Sequence, residues 1–117
     1  MTTVTIVIQN APCQENNKAW HALRFAGAAL AEDMAVRVHL LDDGVEVGRH
    51  GQQVPEGAVD LGALPGEFME CRLGVSACGM ALEDCALDET AMLPGIEYGS
   101  MKALANRVKE SDHVMVF

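Results

Sequence analysis

Apolar residues fall along this chain in two kinds of run. Four short stretches are largely apolar: Thr3–Ile8, which is β-branched and apolar nearly throughout with Val4, Ile6, Val7 and Ile8, a second β-branched run at residues 36–41, and residues 73–77 and 113–117. Runs of that length without polar alternation are expected of strands covered on both faces. Residues 18–33 instead put Trp20, Leu23, Ala26, Gly27 and Leu30 on one helical stripe, with Asn16 or Asn17 as N-cap. The many Ala and Gly residues on that stripe imply close approach to a sheet. Near the other end, Ser100 is placed to cap a helix over residues 101–109 whose Leu104 and Val108 face inward.

The middle of the chain is less regular. Asp42-Asp43-Gly44 is a turn signal at the end of the second strand. Residues 45–61 carry Gly48, Gly51, Pro55 and Gly57 and read as a short helical turn followed by a loop. A short helix is expected within residues 64–71, its start delayed to about Glu67 by Pro65-Gly66, and a short fourth strand around Ile96 within residues 92–97. Five strands separated by helical segments imply an α/β fold, a mostly parallel sheet covered on both faces. No internal repeat, low-complexity tract or domain boundary breaks the pattern, so residues 1–117 are expected to form a single domain.

Composition narrows the function classes. The 117 residues are half apolar, enough for one core. Eight Lys plus Arg stand against seventeen Asp plus Glu, a net charge of −9. Such a surface repels phosphate backbones and anionic lipid, so neither a nucleic acid nor a membrane is expected as a partner. The first strand-like run begins too soon after Met1 for a secretory signal, and no stretch approaches ~20 consecutive apolar residues. A cytoplasmic location is expected, where the four cysteines stay reduced. With only 21% charged residues, the chain is also expected to carry apolar surface that self-association would hide.

The stretch that carries candidate chemistry is Leu-Gly-Val-Ser-Ala-Cys-Gly-Met-Ala-Leu-Glu-Asp-Cys-Ala-Leu, residues 73–87. It reads as a strand, a tight turn at Cys78-Gly79, and a helix through Met80, Leu82, Ala86 and Leu87. A thiol at such a bend faces free backbone N–H groups and the positive end of the helix dipole, which ease loss of its proton. Parallel α/β sheets put their sites beyond the carboxyl ends of their strands, where three loops gather: residues 9–13, residues 42–44 and Cys78-Gly79. Two readings of Cys78 follow, a functional thiol or a small buried hydrophobe.

The other cysteines read differently. Cys71 precedes the third strand, whose length at ~3.3 Å per residue separates it from Cys78. In a continuous helix Cys85 lies about 10 Å from Cys78, too far for a disulfide. Both suit core or helix packing. Cys13 leaves the same rim as Cys78, which leaves a redox or sulfur-passing pair open. Cys71, Cys78 and Cys85 are separated by six intervening residues each, unlike the paired knuckles of structural zinc sites, and His21, His39, His50 and His113 form no motif with them, so no metal is expected. Asp42 and Asp43 shape a turn first and contact a ligand second. Trp20 and the helically spaced Met residues read as core.

These residues together resemble a known family. An N-terminal strand, then Ala-Leu-Arg-Phe-Ala in the first helix, Val-His-Leu-Leu-Asp-Asp-Gly-Val, Val-Ser-Ala-Cys-Gly-Met, Gly-Ile-Glu-Tyr-Gly-Ser-Met and a closing Val-Met-Val-Phe make the chain similar to the DsrE/DsrF-like family over essentially its whole length. The resemblance implies a three-layer α/β/α fold with a five-stranded parallel sheet, assembly as a homo-trimer or hexamer, and a place in a sulfur relay such as tRNA thiolation or dissimilatory sulfur oxidation. It further implies that Cys78, after the third strand, holds sulfur as a persulfide, and that Gly79 fills the turn position that relatives also fill with Gly.

Departures from the family pattern matter as much. Ala81 stands where many relatives have a second cysteine, so Cys-x-x-Cys chemistry is absent. Cys85-Ala86 stand near where many carry an Arg. No Lys or Arg occurs between Arg72 and Lys102, while Glu83, Asp84, Asp88 and Glu89 crowd the segment, and nearby carboxylates oppose thiolate formation. Activation is therefore expected from backbone N–H groups, the helix dipole or a neighbouring subunit.

The expected function is that of a sulfur carrier or sulfurtransferase, with sulfur donor and acceptor proteins as partners and no cofactor. Its expected site has Cys78 as the catalytic thiol and Gly79, Met80, Asn10, Cys13, Asp42 and Asp43 as pocket residues. The alternative is a non-catalytic oligomeric module that binds a small molecule or protein in the same strand-end pocket.

Overall fold

In the computed structural model, which describes residues 2–12, 17–49, 54–64 and 72–117, the first apolar run forms strand β1 (Thr3–Ile8). Helix α1 (Lys18–Ala31) and strand β2 (Ala35–Leu40) follow, then a 3-10 stretch (Asp42–Gly48), strand β3 (Leu73–Cys78) and a short helix α2 (Gly79–Asp84). Strand β4 (Glu97–Gly99), helix α3 (Met101–Glu110) and strand β5 (His113–Val116) complete the order. The strands lie side by side as β4-β3-β2-β1-β5, and every ladder is parallel.

Handedness decides which face each connection covers. From β1 to β4 the chain steps in one direction across the sheet, so right-handed crossovers put α1, the 3-10 stretch and α2 on one face. The step from β4 back to β5 spans the whole sheet in the other direction and puts α3 on the opposite face. Together they make the three layers of an α/β/α fold.

The two faces differ in chemistry. On the α1 side, Val4, Ile6 and Ile8 of β1, Val36, Val38 and Leu40 of β2, and Leu73, Val75 and Ala77 of β3 are all buried. They meet Ala19, Trp20, Ala22, Leu23, Ala26 and Ala29 of α1. Four of those six are Ala, which lets the helix sit close on the strands while each buried larger side chain contributes about 1.5–3 kcal/mol. On the α3 side, strand alternation presents Thr5, Arg37, His39, Ser76 and Cys78. Arg37 binds Glu110 of α3 at 2.7 Å, and Thr5 hydrogen-bonds Ser111 at the end of α3. Val7 is the apolar exception, buried on this side beside His39, so the face mixes polar groups with a little apolar surface where it is buried.

Several boundaries depart from the sequence-based expectation for physical reasons. Helix α1 stops at Ala31 rather than Asp33, because Asp33 turns left-handed (φ 62°) and the Met34 N–H closes back onto the Ala29 carbonyl at 3.0 Å. Asn17 holds the N-cap position with φ 53°, but its side chain makes no capping bond; Asn16 lies outside the described residues. Asp42-Asp43-Gly44 is no isolated turn but the start of a 3-10 stretch, tied down where Gly44 passes the Ile8 carbonyl so closely that a Cβ would lie 2.0 Å from its oxygen. The helix expected in residues 64–71 lies outside the described residues beyond Leu64.

The last three elements also shift. β4 begins at Glu97, one residue after Ile96, whose side chain is buried against Gly48 and Met92 instead. Ser100 caps α3 as expected, accepting the Ala103 N–H at 3.3 Å, but α3 buries no residue fully and Val108 is exposed rather than inward. β5 is an edge strand, not a buried one: Val114 is 42% and Val116 61% exposed. Among the described residues no helix is long and apolar enough to cross a membrane.

Candidate functional site

β3 and β4 are neighbours whose connections leave toward opposite faces of the sheet, β3 into α2 and β4 into α3. A crevice must open between their carboxyl ends, and such a switch point is where α/β sheets bind ligands. A cavity of about 840 Å³ occupies it. Cys78, the final residue of β3, lines it together with Gly79, Met80 and Leu82 of α2, Tyr98 and Gly99 of β4, and Met101 at the start of α3. Cys78 is only 9% exposed. Cys78 thus belongs to the cavity wall and not to the open surface.

Local sequence explains this placement. The largely apolar run Leu-Gly-Val-Ser-Ala-Cys brings Cys78 to the end of the ladder, where it pairs with Gly99. Gly79 then opens α2, and a Cβ added there would meet nothing within 4 Å. Gly79 therefore leaves space beside Cys78 without serving a left-handed turn. Helix α2 has six residues and ends at the left-handed Ala86 (φ 56°), where the Leu87 N–H bonds the Leu82 carbonyl at 2.9 Å. It is shorter than the helix expected through Leu87, so its dipole is correspondingly small.

Of the expected pocket residues, Cys78, Gly79, Met80 and Asp42 line one cavity. Asp43 does not line it; its carboxylate lies 3.8 Å from the Cys85 sulfur. Asn10 is half-buried and outside the lining, and Cys13 falls outside the described residues. Cys85 stands at the end of α2 as a free thiol. Burial first, then the charges of Asp43, Glu46 and Asp84 and a hydrogen bond to Asp43, push its proton affinity above the ordinary thiol value. Cys85 consequently stays protonated at neutral pH and is a poor nucleophile.

Tyr98, Ser100 and Met101 were not among the expected site residues. Their signal was present in Gly-Ile-Glu-Tyr-Gly-Ser-Met: a strand ending at Gly99, beside one ending at Cys78, delivers the next residues to the same crevice. Met80 is 75% and Met101 61% exposed, so two flexible thioethers flank the cavity mouth. Asp42, Glu83, Asp84 and Asp88 stand on its rim, and among the described residues no Lys, Arg or His lines it. The Asp88 carboxylate accepts hydrogen bonds from the Thr90 hydroxyl and N–H and from the Ala91 N–H; the Thr90 side-chain bond does most to hold it below the usual carboxylate range.

A second cavity, about 460 Å³, lies at the amino ends of the strands under α3. Arg37, Glu97, Arg107 and Glu110 line it and are joined in two ion pairs, Arg37 with Glu110 and Arg107 with Glu97. Four of its charged residues pair with one another, whereas the larger cavity combines a thiol with an acidic rim that has no cationic partner among the described residues.

A three-layer domain with a thiol at its switch point defines a class, and comparison with known proteins gives the family. The DsrE/DsrF-like family model matches residues 3–117, and the chain belongs to that family, which points to sulfur relay in general. It is 38% identical over 114 residues to an uncharacterized protein of Methanopyrus kandleri (MK0008), covering 97% of this chain and 93% of that one. It is 34% identical over 122 residues to an uncharacterized protein of Methanocaldococcus jannaschii (MJ0989), covering 97% of each. In fold it is similar to the ychN protein from E. coli, with a TM-score of 0.77 at 23% identity over all of both chains. It is also similar to MTH1491 of Methanobacterium thermoautotrophicum, a protein of unknown function, with a TM-score of 0.70 at 17% identity over 98% of this chain and 99% of that one.

Proposed function

We propose that the protein carries sulfur as a persulfide on Cys78 and relays it to an acceptor thiol. The observation that carries this reading is the position of Cys78, which lines a cavity at the carboxyl ends of β3 and β4 and is mostly shielded from solvent. Membership of the family supports it further. In the loading step the Cys78 thiolate attacks the outer sulfur of a donor persulfide; the donor's sulfur–sulfur bond breaks, the donor leaves as a thiolate, and Cys78 becomes a persulfide. In the unloading step an acceptor thiolate attacks the terminal sulfur and Cys78 returns to its thiolate. No electrons are gained or lost overall.

Partial burial serves this chemistry. A persulfide held in a cavity is shielded from stray thiols and oxidants while remaining open to a partner that enters the mouth. Incubation with a persulfide donor should add one sulfur atom to the wild type and none to Cys78→Ser, read by intact mass under non-reducing conditions. A wild type that stays unmodified overturns the reading.

The alternative, a non-catalytic module in which Cys78 only lines the cavity, draws support from the apolar lining of Leu41, Leu82, Leu87 and Tyr98, which can hold a ligand without a thiol. Under that reading Cys78→Ala leaves ligand or partner binding unchanged.

We also infer that the chain works in the cytoplasm as a homo-oligomer, a trimer or hexamer. The thin cover of the sheet on the α3 side supports self-association, since Val108, Val114 and Val116 are exposed there.

A further inference from the structure

The smaller cavity, at the amino ends of β2, β3 and β4, gathers three of the chain's eight Lys and Arg side chains: Arg37, Arg72 and Arg107. In each ion pair around it the arginine is the deeper member. Side-chain exposure is 32% for Arg37 against 62% for Glu110, 21% for Arg107 against 74% for Glu97, and 33% for Arg72 against 91% for Asp33. Away from the cavity the order reverses, Arg49 at 45% standing outside Glu46 at 35%. Three guanidiniums thus sit below the carboxylates that neutralise them.

The space beside them has its origin in the sequence. Gly74, the register partner of Arg37, and Ala103 of α3 contribute at most a methyl group where helix and sheet face each other. The resulting cavity, about 460 Å³, falls in the size range of small-ligand sites. A guanidinium carries five N–H donors. Glu110 takes one nitrogen of Arg37 at 2.7 Å and Glu97 takes one nitrogen of Arg107, and neither guanidinium has another hydrogen-bond partner among the described residues. Arg72 is anchored by its bond to the Leu30 carbonyl at 2.7 Å, which fixes where its charge lies.

We propose that this cavity binds a small tetrahedral oxyanion, a phosphate or sulfate group, either free or at the end of a small organic molecule. The planar fork of arginine matches pairs of such oxygens, and partial removal from water strengthens each contact. The net charge of −9 does not prevent this: the body measures 37 × 33 × 28 Å, and at a physiological screening length of ~8 Å the local guanidiniums decide the field inside the cavity. The site lies at the opposite ends of the strands from Cys78, so the inference is independent of the sulfur-carrier reading.

The test is calorimetric titration of the 117-residue chain with sodium phosphate, sodium sulfate and glycerol 3-phosphate, at an ionic strength held constant with sodium chloride and with glycerol as the neutral control. Amide NMR locates the site through Gly74, Ala103 and Asn106. Saturable binding with shifts at those amides supports the proposal; tighter binding of the ester than of the free ions makes the ligand a phosphorylated small molecule, and the reverse order makes it the ion itself. Glu110→Gln removes the carboxylate that competes for Arg37 and should tighten binding about two- to fivefold. Asn106→Asp should weaken it by a similar factor, and that exposed side chain makes no hydrogen bond among the described residues, so its replacement spares the fold. These two variants decide the matter even where Arg37→Gln or Arg107→Gln fails to fold. No saturable heat at constant ionic strength, shifts confined to other amides, or a Glu110→Gln protein that binds no tighter than wild type overturns the proposal and leaves the arginines a purely structural role.

Discussion

The Nδ1 of His39 and the hydroxyl of Ser76 lie 2.8 Å apart, on paired positions of β2 and β3 and both buried beneath α3. Burial, and secondarily the charge of Arg107, hold the His39 imidazole below its ordinary value near 6.5, so it is neutral in the folded protein at neutral pH. The unfolded chain therefore takes up this proton at a higher pH than the folded one. Stability that is complete above about pH 6.5 is lost as pH falls toward the lowered folded value. Urea unfolding at pH 7.5 and at pH 5.5 should show a drop in wild type that is smaller in His39→Gln. An equal drop in both proteins would place the pH response elsewhere.

Gly44 and Gly79 should respond oppositely to the same substitution. Gly44→Ala drives a methyl group into the Ile8 carbonyl and should destabilise by about 3 kcal/mol. Gly79→Ala meets open space in the first turn of α2 and should be neutral or stabilising by up to about 1 kcal/mol. Denaturant midpoints compared with wild type check both.

Ala86 holds a left-handed conformation that closes α2, a geometry that suits glycine. Ala86→Gly should raise stability by about 0.5–1 kcal/mol. Asp33→Gly, at the matching position after α1, should gain less, because Asp tolerates this conformation better than Ala. Thermal unfolding of the two single variants ranks them.

Val114 and Val116 occupy one face of β5 on the sheet's exposed edge. The double substitution Val114→Lys, Val116→Lys should shift sedimentation toward a smaller species while leaving the far-ultraviolet circular dichroism of the fold intact. An unchanged sedimentation coefficient would remove this edge from the proposed assembly.

Much of the sheet was legible because its central strands announce themselves. The run Thr-Val-Thr-Ile-Val-Ile marks β1 to the residue, and Ser100 marks the start of α3. The role of the closing His-Val-Met-Val was not legible. Such a run reads alike in a central and an edge strand, and only the long β4-to-β5 crossover, which carries the strand past β1, decides that it stays exposed.

The same holds for the site. Cys78 stood out through its place at a strand end, while Tyr98 and Met101 escaped because β4 is only three residues long and Pro94-Gly95 draws the eye upstream. Asn17 shows the remaining gap: its residue type predicts a cap, but with φ 53° the side chain makes no capping bond.

The pairing of β1 with β5 joins Thr3 to Asp112, residues 109 positions apart. A nascent chain emerging from the ribosome keeps the outer hydrogen-bonding groups of β1 bare until Asp112 and the strand after it are available. During that interval β1 is a template for intermolecular pairing. Slow synthesis or truncation before residue 112 should therefore favour aggregates nucleated at Thr3–Ile8.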